Sequence, residues 1–354
     1  MDIFKEMERR GHEQVIFNYD KATGLKAIIA IHDTTLGPAL GGTRMLPYAA
    51  EDAALEDVLR LSEGMTYKAA AAGLDFGGGK TVILGDPAQD KSEGLFRALG
   101  RFVETLNGRY STGEDVGTSE EDFLIALRET RHLVGLPPAY GGSGDTGDMT
   151  ALGVINAMKA ALMHKNGSSS LTGRRVAIQG LGKVGFHVAK RAVEEGAHVV
   201  AADINPHTVG RVASELGIEP TDPWAVLETR CDIFSPCALG NVINEDTAER
   251  LNCQIVAGSA NNQLKDNSFG EALSQRGILY APDFICNAGG LIQVADEVRG
   301  YHPDRVRHQV EAIYDLLLAI FREADAKGLS TTAVAMGRVE QRLSQVHAIH
   351  RIRT

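Results

Sequence analysis

The segment Arg174-Arg175-Val176-Ala177-Ile178-Gln179-Gly180-Leu181-Gly182-Lys183-Val184-Gly185 constrains the fold of this chain more than any other part of the sequence. A strand-like run enters Gly-x-Gly-x-x-Gly, a helical stretch follows to about Glu195, and a second strand-like run, His198-Val199-Val200-Ala201-Ala202, ends in Asp203. Three glycines alone would say little, but a strand before them, a helix after them and an acid at the end of the next strand make a dinucleotide-binding fingerprint. Gly180 permits the tight turn, Gly182 lets backbone N–H groups approach a pyrophosphate, and Gly185 lets the helix pack on the strand. The helix N-terminus adds partial positive charge. Asp203 lies 18 residues after Gly185, where a carboxylate accepts ribose hydroxyls and repels a 2′-phosphate, so NAD is expected rather than NADP. Arg211 is the nearest residue that could partner such a phosphate. The competing reading is a Rossmann domain kept for structure without a cofactor.

Shorter strand-like runs follow at residues 232–238, 254–258 and 277–280. Two amide-rich segments, Ser259-Ala260-Asn261-Asn262-Gln263 and Asn287-Ala288-Gly289-Gly290, read as loops beyond strand carboxyl ends, where open sheets bind ligands. Their asparagines serve equally well as turn residues. Upstream, Gly141-Gly142-Ser143-Gly144-Asp145-Thr146-Gly147-Asp148 has four glycines and no apolar residue, which places a domain boundary near residue 147. The expected division is a first domain over 1–146, a second over 147–329 and a helical tail over 330–354. At 354 residues and 44% hydrophobic content, two domains are what chain length favours.

The first part alternates strand-like and helix-like runs. Residues 25–32 read as a strand and 51–70 as a helix with Ala54, Leu55, Val58, Leu59, Leu61 and Met65 at helical spacing. Lys68 falls at the end of that helix. Twelve positions later, Gly77-Gly78-Gly79-Lys80 sets a lysine behind three residues without side chains. Close approach of backbone to a ligand, with a second ammonium nearby and an apolar pocket, would lower a lysine pKa enough to make it a base near neutral pH. The plainer alternative is a glycine turn before the strand Thr81-Val82-Ile83-Leu84, with Lys80 opening that strand in solvent. A helix over about 92–106 leads through Arg109-Tyr110-Ser111-Thr112 to Gly113-Glu114-Asp115-Val116-Gly117, placing a carboxylate at a strand end between glycines.

A net charge of −10 argues against nucleic acid or an anionic membrane surface as partner. The charged start of the chain is unlike a signal peptide, and no apolar run approaches ~18 residues, so a soluble, cytoplasmic protein is expected. Cys231, Cys237, Cys253 and Cys286 have no Cys-x-x-Cys pairing and read as reduced thiols. His347 and His350 lack a carboxylate beside them to complete a metal site, and no metal is expected.

Taken in order, Leu40-Gly41-Gly42-Thr43-Arg44, Met65-Thr66-Tyr67-Lys68, Gly77-Gly78-Gly79-Lys80, Gly113-Glu114-Asp115-Val116-Gly117-Thr118, Gly180-Leu181-Gly182, Ser259-Ala260-Asn261-Asn262-Gln263 and Asn287-Ala288-Gly289-Gly290 resemble the glutamate, leucine, valine and phenylalanine dehydrogenase superfamily. The likeness runs from about Gly11 to Phe321. It implies an α/β fold of two domains separated by a cleft, an N-terminal substrate and oligomerisation domain and a Rossmann-type doubly wound NAD-binding domain. It also implies a homo-oligomer and reversible oxidative deamination of an L-amino acid to a 2-oxo acid, ammonia and NADH.

By that resemblance Lys80 is the general base, Asp115 the proton shuttle to the substrate amine, and Lys68 the cation for the substrate carboxylate, aided by Asn262, Gly41 and Gly42. Leu40, Met65, Gly113, Leu291 and Val294 complete the implied substrate site. The implied cofactor site comprises Thr150, Gly180, Leu181, Gly182, Lys183, Val184, Gly185, Asp203, Ile204, Cys237, Ala238, Ala260, Asn261, Asn262 and Asn287. Glutamate members carry lysine where this chain has Leu40, and desolvating a side-chain carboxylate against leucine is costly, which argues for an apolar substrate. Gly113 and Leu291 resemble the phenylalanine branch, the glycine deepening a pocket for a ring. Glu114 is closer to the leucine branch, and tryptophan dehydrogenases share the Gly113/Leu291 pair. A catalytically silent dinucleotide-binding protein is the reading from a different class; it would have no need of Lys68, Lys80 and Asp115 together.

Overall fold

The structure is a computed structural model that describes residues 2–351. Met1, at the head of the charged amino-terminal stretch, residues 352–354 of the expected tail and the side chains of His350 and Arg351 lie outside the described residues. Two compact units emerge. One is built on the chain up to Asp145, with Gln293–His302 and the chain from Val339; the other is Thr146–Ile292 with Pro303–Arg338.

The first unit holds a five-stranded sheet of β1 (Gln14–Tyr19), β2 (Lys26–Asp33), β3 (Ala39–Leu46), β4 (Gly77–Leu84) and β5 (Tyr110–Glu114), in the order β1-β2-β4-β3-β5. β1 and β2 pair antiparallel, as do β2 and β4, whereas β3 runs parallel to both β4 and β5. The near-continuous apolar run of β2 follows from burial on both faces. Ile28 and Ala30 pack with Val82 against Leu55, Val58 and Leu59 of the helix Glu51–Ala71. Ile29 and Ile31 pack with Ile83 against Phe96, Leu99 and Val103 of the helix Glu93–Glu104. The first helix carries Glu51 and Asp52 in its opening turn, favourable at the positive end of its dipole; the second is capped by Ser92, which accepts from Leu95 N–H at 3.2 Å.

The glycine triplet is not a turn. Gly77, Gly78 and Gly79 are the first residues of β4, and Lys80 sits inside the strand, opposite Ala30 of β2. A Cβ at Gly77 would collide with the carbonyl of Asp33, one at Gly78 with Ser62 O and Thr66 N of the helix, and one at Gly79 would stand 2.6 Å from the Tyr110 ring. The three residues are small because backbone and aromatic neighbours close on them from both faces, and a solvated lysine behind a turn is excluded: Lys80 is 6% exposed.

The second unit holds an all-parallel sheet of β6 (Arg175–Gln179), β7 (His198–Ala202), β8 (Glu219–Pro220), β9 (Ile233–Pro236), β10 (Ile255–Val256) and β11 (Leu279–Tyr280), ordered β11-β10-β9-β6-β7-β8. This is the doubly wound arrangement, with the strand order reversing between β6 and β9, where such sheets bind ligands. Ala177, Phe234, Val256, Leu273 and Tyr280 form one of its cores. The second amide-rich segment is only partly a loop. Asn287 caps the short helix Asp283–Cys286, and Gly289 and Gly290 open the helix Gly289–Glu297. They are small because Met149 O and Thr150 Oγ1, at the start of the helix Gly147–Asn166, leave no room for a Cβ.

Towards the carboxyl end come the helices Pro303–Glu311, Ile313–Lys327 and Thr331–Arg351. Arg342 on the last donates to Ala70 O at 2.7 Å and to Asp75 Oδ1 at 3.0 Å, both at the end of the helix that carries Lys68. Among the described residues, no helix is long and apolar enough to cross a membrane, and no cluster of three or more His, Cys, Asp or Glu is placed to hold a metal. All four cysteines are free thiols, Cys231 and Cys286 buried, Cys237 and Cys253 half-buried.

Candidate functional site

Lys80 and Arg44 lie on one face of the first unit's sheet. Side chains alternate along a strand, so Gly78, Lys80 and Val82 of β4 face the helix Glu51–Ala71, as do Gly42 and Arg44 of β3 beside them. Lys80 Nζ stands 2.7 Å from Asp115 Oδ2. A Cβ at Gly42 would come within 3.1 Å of both Lys80 Nζ and Asp115 Cβ, so glycine leaves the room in which this pair meets. Gly41 is required differently, because its Cβ would collide with the carbonyl of Gly79.

Asp115 follows β5 in a loop clasped by one hydroxyl. Thr118 Oγ1 accepts from Asp115 N–H at 3.0 Å and donates to Thr43 O at 2.9 Å. Arg44 Nε donates to the same Asp115 Oδ2 at 3.1 Å, and Arg44 Nη1 donates to Asp57 Oδ2 at 3.1 Å. Tyr48 Oη also donates to Asp57 Oδ2, at 2.8 Å, and Arg60 to Oδ1, at 2.9 Å. The result is a part-buried chain of alternating charge from Lys80 through Asp115 and Arg44 to Asp57.

This environment sets the protonation states. Burial pushes Lys80 below the ordinary lysine value of 10.5; Asp115 opposes the shift and the charge of Arg44 adds to it. The sequence pointed to a second lysine for this effect, but desolvation leads and the added cation is an arginine. Burial by itself would raise the Asp115 carboxyl, yet Lys80 and Arg44 outweigh it and hold the group below the ordinary carboxylate range. A lysine inclined to lose its proton thus faces a carboxylate kept ionised.

Of the other expected substrate residues in this unit, Leu40 is buried at 1% exposure and pairs with Gly78 and Ser111, while Gly41 and Gly42 pair with Thr112 and Gly113. Met65 and Lys68 are half-buried in the last two turns of the helix Glu51–Ala71. Val294 is half-buried in the helix Gly289–Glu297. Gly113 is constrained by a residue that sequence reasoning did not single out: its Cβ would lie 2.6 Å from Val134 O and 3.3 Å from Val134 Cγ2. An alanine there would press on the 134 segment rather than only shorten a pocket. That segment is pinned by Glu297, whose carboxylate accepts from Gly135 N–H and Ser143 N–H, each at 2.8 Å.

The second unit places the fingerprint as a cofactor cradle. Gly180 adopts φ +95° and Ala238, after β9, leaves 2.8 Å to a Cβ there; a Cβ at Gly185 would collide with Gly180 O and come within 3.2 Å of Cys237 Cβ. Gly182 faces open space and stands at the N-terminus of the helix Lys183–Glu194 without a side-chain cap, at the positive end of the helix dipole. Asp203 accepts from Leu181 N–H and Asn205 N–H, both at 2.8 Å, and so also orders the loop it follows, with Ile204 90% exposed beside it. Asn287 Nδ2 donates to Asn261 Oδ1 at 2.8 Å and Ser259 O at 3.1 Å, while its own Oδ1 is buried without a partner. A buried orphan acceptor is costly unless a ligand donor meets it. Asn262 holds φ +51° at the loop surface beside the buried Ala260, Thr150 donates to Thr146 O at 2.9 Å, and Leu291 is buried. A helix N-terminus with no side-chain cap, a glycine cradle at the switch point and an unmet amide oxygen fit a dinucleotide.

A parallel doubly wound unit joined to a unit bearing a buried lysine and carboxylate pair defines a dehydrogenase-type α/β protein. Residues 12–132 match the family described as Glu/Leu/Phe/Val dehydrogenase, dimerisation domain, and residues 141–219 and 206–302 match Glutamate/Leucine/Phenylalanine/Valine dehydrogenase. The chain belongs to this amino-acid dehydrogenase family. It is 51% identical over 346 residues to a leucine dehydrogenase of Thermoactinomyces intermedius, covering 98% of this chain and 94% of the relative. It is 52% identical over 353 residues to a phenylalanine dehydrogenase of the same organism, covering 99% and 96%. The crystal structure of L-tryptophan dehydrogenase from Nostoc punctiforme superposes with a TM-score of 0.87 at 42% identity, covering 98% of this chain and 99% of that one.

Proposed function

We propose that this enzyme catalyses the NAD-dependent, reversible oxidative deamination of an apolar L-amino acid, with L-phenylalanine favoured and leucine or tryptophan as the alternatives. The observation that carries the reading is the buried Lys80–Asp115 pair, 2.7 Å apart, with the lysine pushed toward its neutral form. In this reading Lys68, with the backbone at Gly41 and Gly42, holds the substrate carboxylate and so orients Cα–H. Asp115 takes a proton from the substrate amine, loss of hydride from Cα leaves the imine, and neutral Lys80 takes a proton from the water that attacks it. Asp115 then returns its proton to the carbinolamine nitrogen so that ammonia can leave, and the carboxylate so restored offsets the positive charge on Lys80. NAD, when bound, accepts the hydride. Gly180, Gly182 and Gly185 with the helix start at Lys183 would hold its pyrophosphate, Asp203 its ribose, and Asn287 Oδ1 a donor such as a carboxamide.

An apolar substrate is supported by Leu40, buried where a charged side chain would need a partner. The aromatic preference rests on Gly113 and Leu291; Glu114 favours the leucine reading, and the two curated relatives, at 51% and 52% identity, do not separate them. Assembly into a homo-oligomer is in keeping with the match to a dimerisation domain and with the exposed Phe17 and Tyr19 on β1, an edge strand. The test is the initial rate of NADH formation with phenylalanine, leucine, valine and tryptophan. Phenylalanine should lead in kcat/KM; a leucine preference of more than about tenfold would overturn the aromatic assignment, since a methyl or two discriminates by only ~1–3 kcal/mol.

A further inference from the structure

Lys80 and Asp115 do not stand alone. Oδ2 of Asp115 is shared by Lys80 Nζ at 2.7 Å and Arg44 Nε at 3.1 Å, and Arg44 is itself anchored by Asp57 at 3.1 Å. Arg44 lies two residues beyond Gly42 on the same strand, so both face the pair. Its guanidinium is a planar fork that bridges two carboxylates, and it does not lose its proton in this range.

We infer that Arg44 is a positioning residue for the deamination chemistry, fixing the shuttle carboxylate by one oxygen through a guanidinium anchored on Asp57. This inference rests on the dehydrogenase reading above. Among the described residues, the charged and titratable groups tied to the pair include Arg44 of β3, Tyr48 beyond it, Asp57 and Arg60 of the covering helix and Tyr110 of β5. Among them Arg44 disfavours charge on Lys80, whereas Asp115 and Asp57 favour it. Whenever Asp115 carries no proton its part-buried carboxylate is held by a neighbouring cation, and when Lys80 is neutral Arg44 is the cation that remains on Oδ2. Asp57, held by Tyr48 and Arg60, keeps the guanidinium from turning away.

The arrangement predicts two displacements of opposite sign. In kcat/KM for oxidative deamination, the acidic limb reports the base that must be neutral. Arg44→Gln removes a neighbouring cation and should move that limb to higher pH by about one unit, with Arg44→Lys in between. Asp57→Asn removes a carboxylate that favours charged Lys80 and should move it to lower pH. The experiment measures pH profiles of the four proteins with NAD and either L-phenylalanine or L-leucine, alongside their thermal unfolding. A folded Arg44→Gln enzyme with reduced activity and an unmoved limb would show Arg44 to be merely structural and overturn the inference. If that variant does not fold, Asp57→Asn decides: a shift downward supports the inference, and no shift or an upward one overturns it. A wild-type enzyme that forms no NADH with any amino acid would instead defeat the dehydrogenase reading itself.

Discussion

Lys80 Nζ lies 2.7 Å from Asp115 Oδ2, both largely withdrawn from water, with the lysine on a strand and the carboxylate in a loop held by Thr118. Because burial lowers Lys80 while Lys80 and Arg44 keep Asp115 ionised, the pair holds a base and a carboxylate ready at the same pH. Amino-acid oxidation should therefore rise with pH and level off below the ordinary lysine value of 10.5. An acidic limb centred at or above that value in kcat/KM would contradict the burial argument.

Gly78 is where the helix carrying Lys68 rests on β4. A methyl group there meets Ser62 O and Thr66 N, which are backbone atoms and cannot swing aside. Gly78→Ala should cost about 1–3 kcal/mol, as overpacking does, and should raise KM for the amino acid through the displaced helix. Unfolding in denaturant and steady-state kinetics check the two effects, and a variant as stable as the parent would show the contact to be looser than described.

Gly113 and Val134 form one wall. Gly113→Ala should push the backbone at Val134 and lower kcat/KM for phenylalanine relative to leucine by roughly tenfold. An unchanged ratio would remove Gly113 from the specificity argument.

Asp203 caps Leu181 N–H at 2.8 Å and, in the proposed cofactor site, also turns its charge toward a ribose. Asp203→Asn retains an acceptor for the cap while removing the charge that repels a 2′-phosphate. The ratio of kcat/KM for NADP over NAD should rise by about tenfold or more, equivalent to about 1.4 kcal/mol. No gain with NADP would mean that discrimination lies elsewhere.

His12 is buried against His32, bonded to Leu59 O at 3.1 Å and Ser62 Oγ at 2.9 Å, and burial pushes it from 6.5 to about 4. The unfolded chain takes up this proton near 6.5 while the folded one waits until about 4, so stability falls as pH drops across that window. The loss amounts to about 3 kcal/mol at most. Denaturant midpoints between these pH values should fall less steeply in His12→Asn than in the parent.

The second unit was largely legible in the sequence because its signals are local: Gly180, Gly182, Gly185 and Asp203 fall within one unit of strand, helix and strand, and β6 and β7 read as apolar runs. β2 and the helix Glu51–Ala71 were legible for the same reason. β3 was not, since Gly41 and Gly42 interrupt the run that a strand would show. Gly77–Gly79 were open to a turn reading because what requires them, Asp33, Ser62, Thr66 and Tyr110, comes from three other elements. Arg44 stood in view within Leu40–Arg44 without a role, as its partners Asp57 and Asp115 are 13 and 71 residues away. The two-residue spacing from Gly42, read with the period of a strand, is the signal that would have placed it on the face of Lys80. The Val134 contact to Gly113 left no such trace, since it depends on how a loop returns to β5.

The central claim is that Lys80 is the base of an NAD-dependent amino-acid dehydrogenase. Its most direct test compares initial rates of NADH formation and NADH binding in the parent and in Lys80→Ala. Turnover should fall by roughly 10²–10⁴-fold while NADH still binds with unchanged affinity. Turnover retained at the parental rate would contradict the assignment.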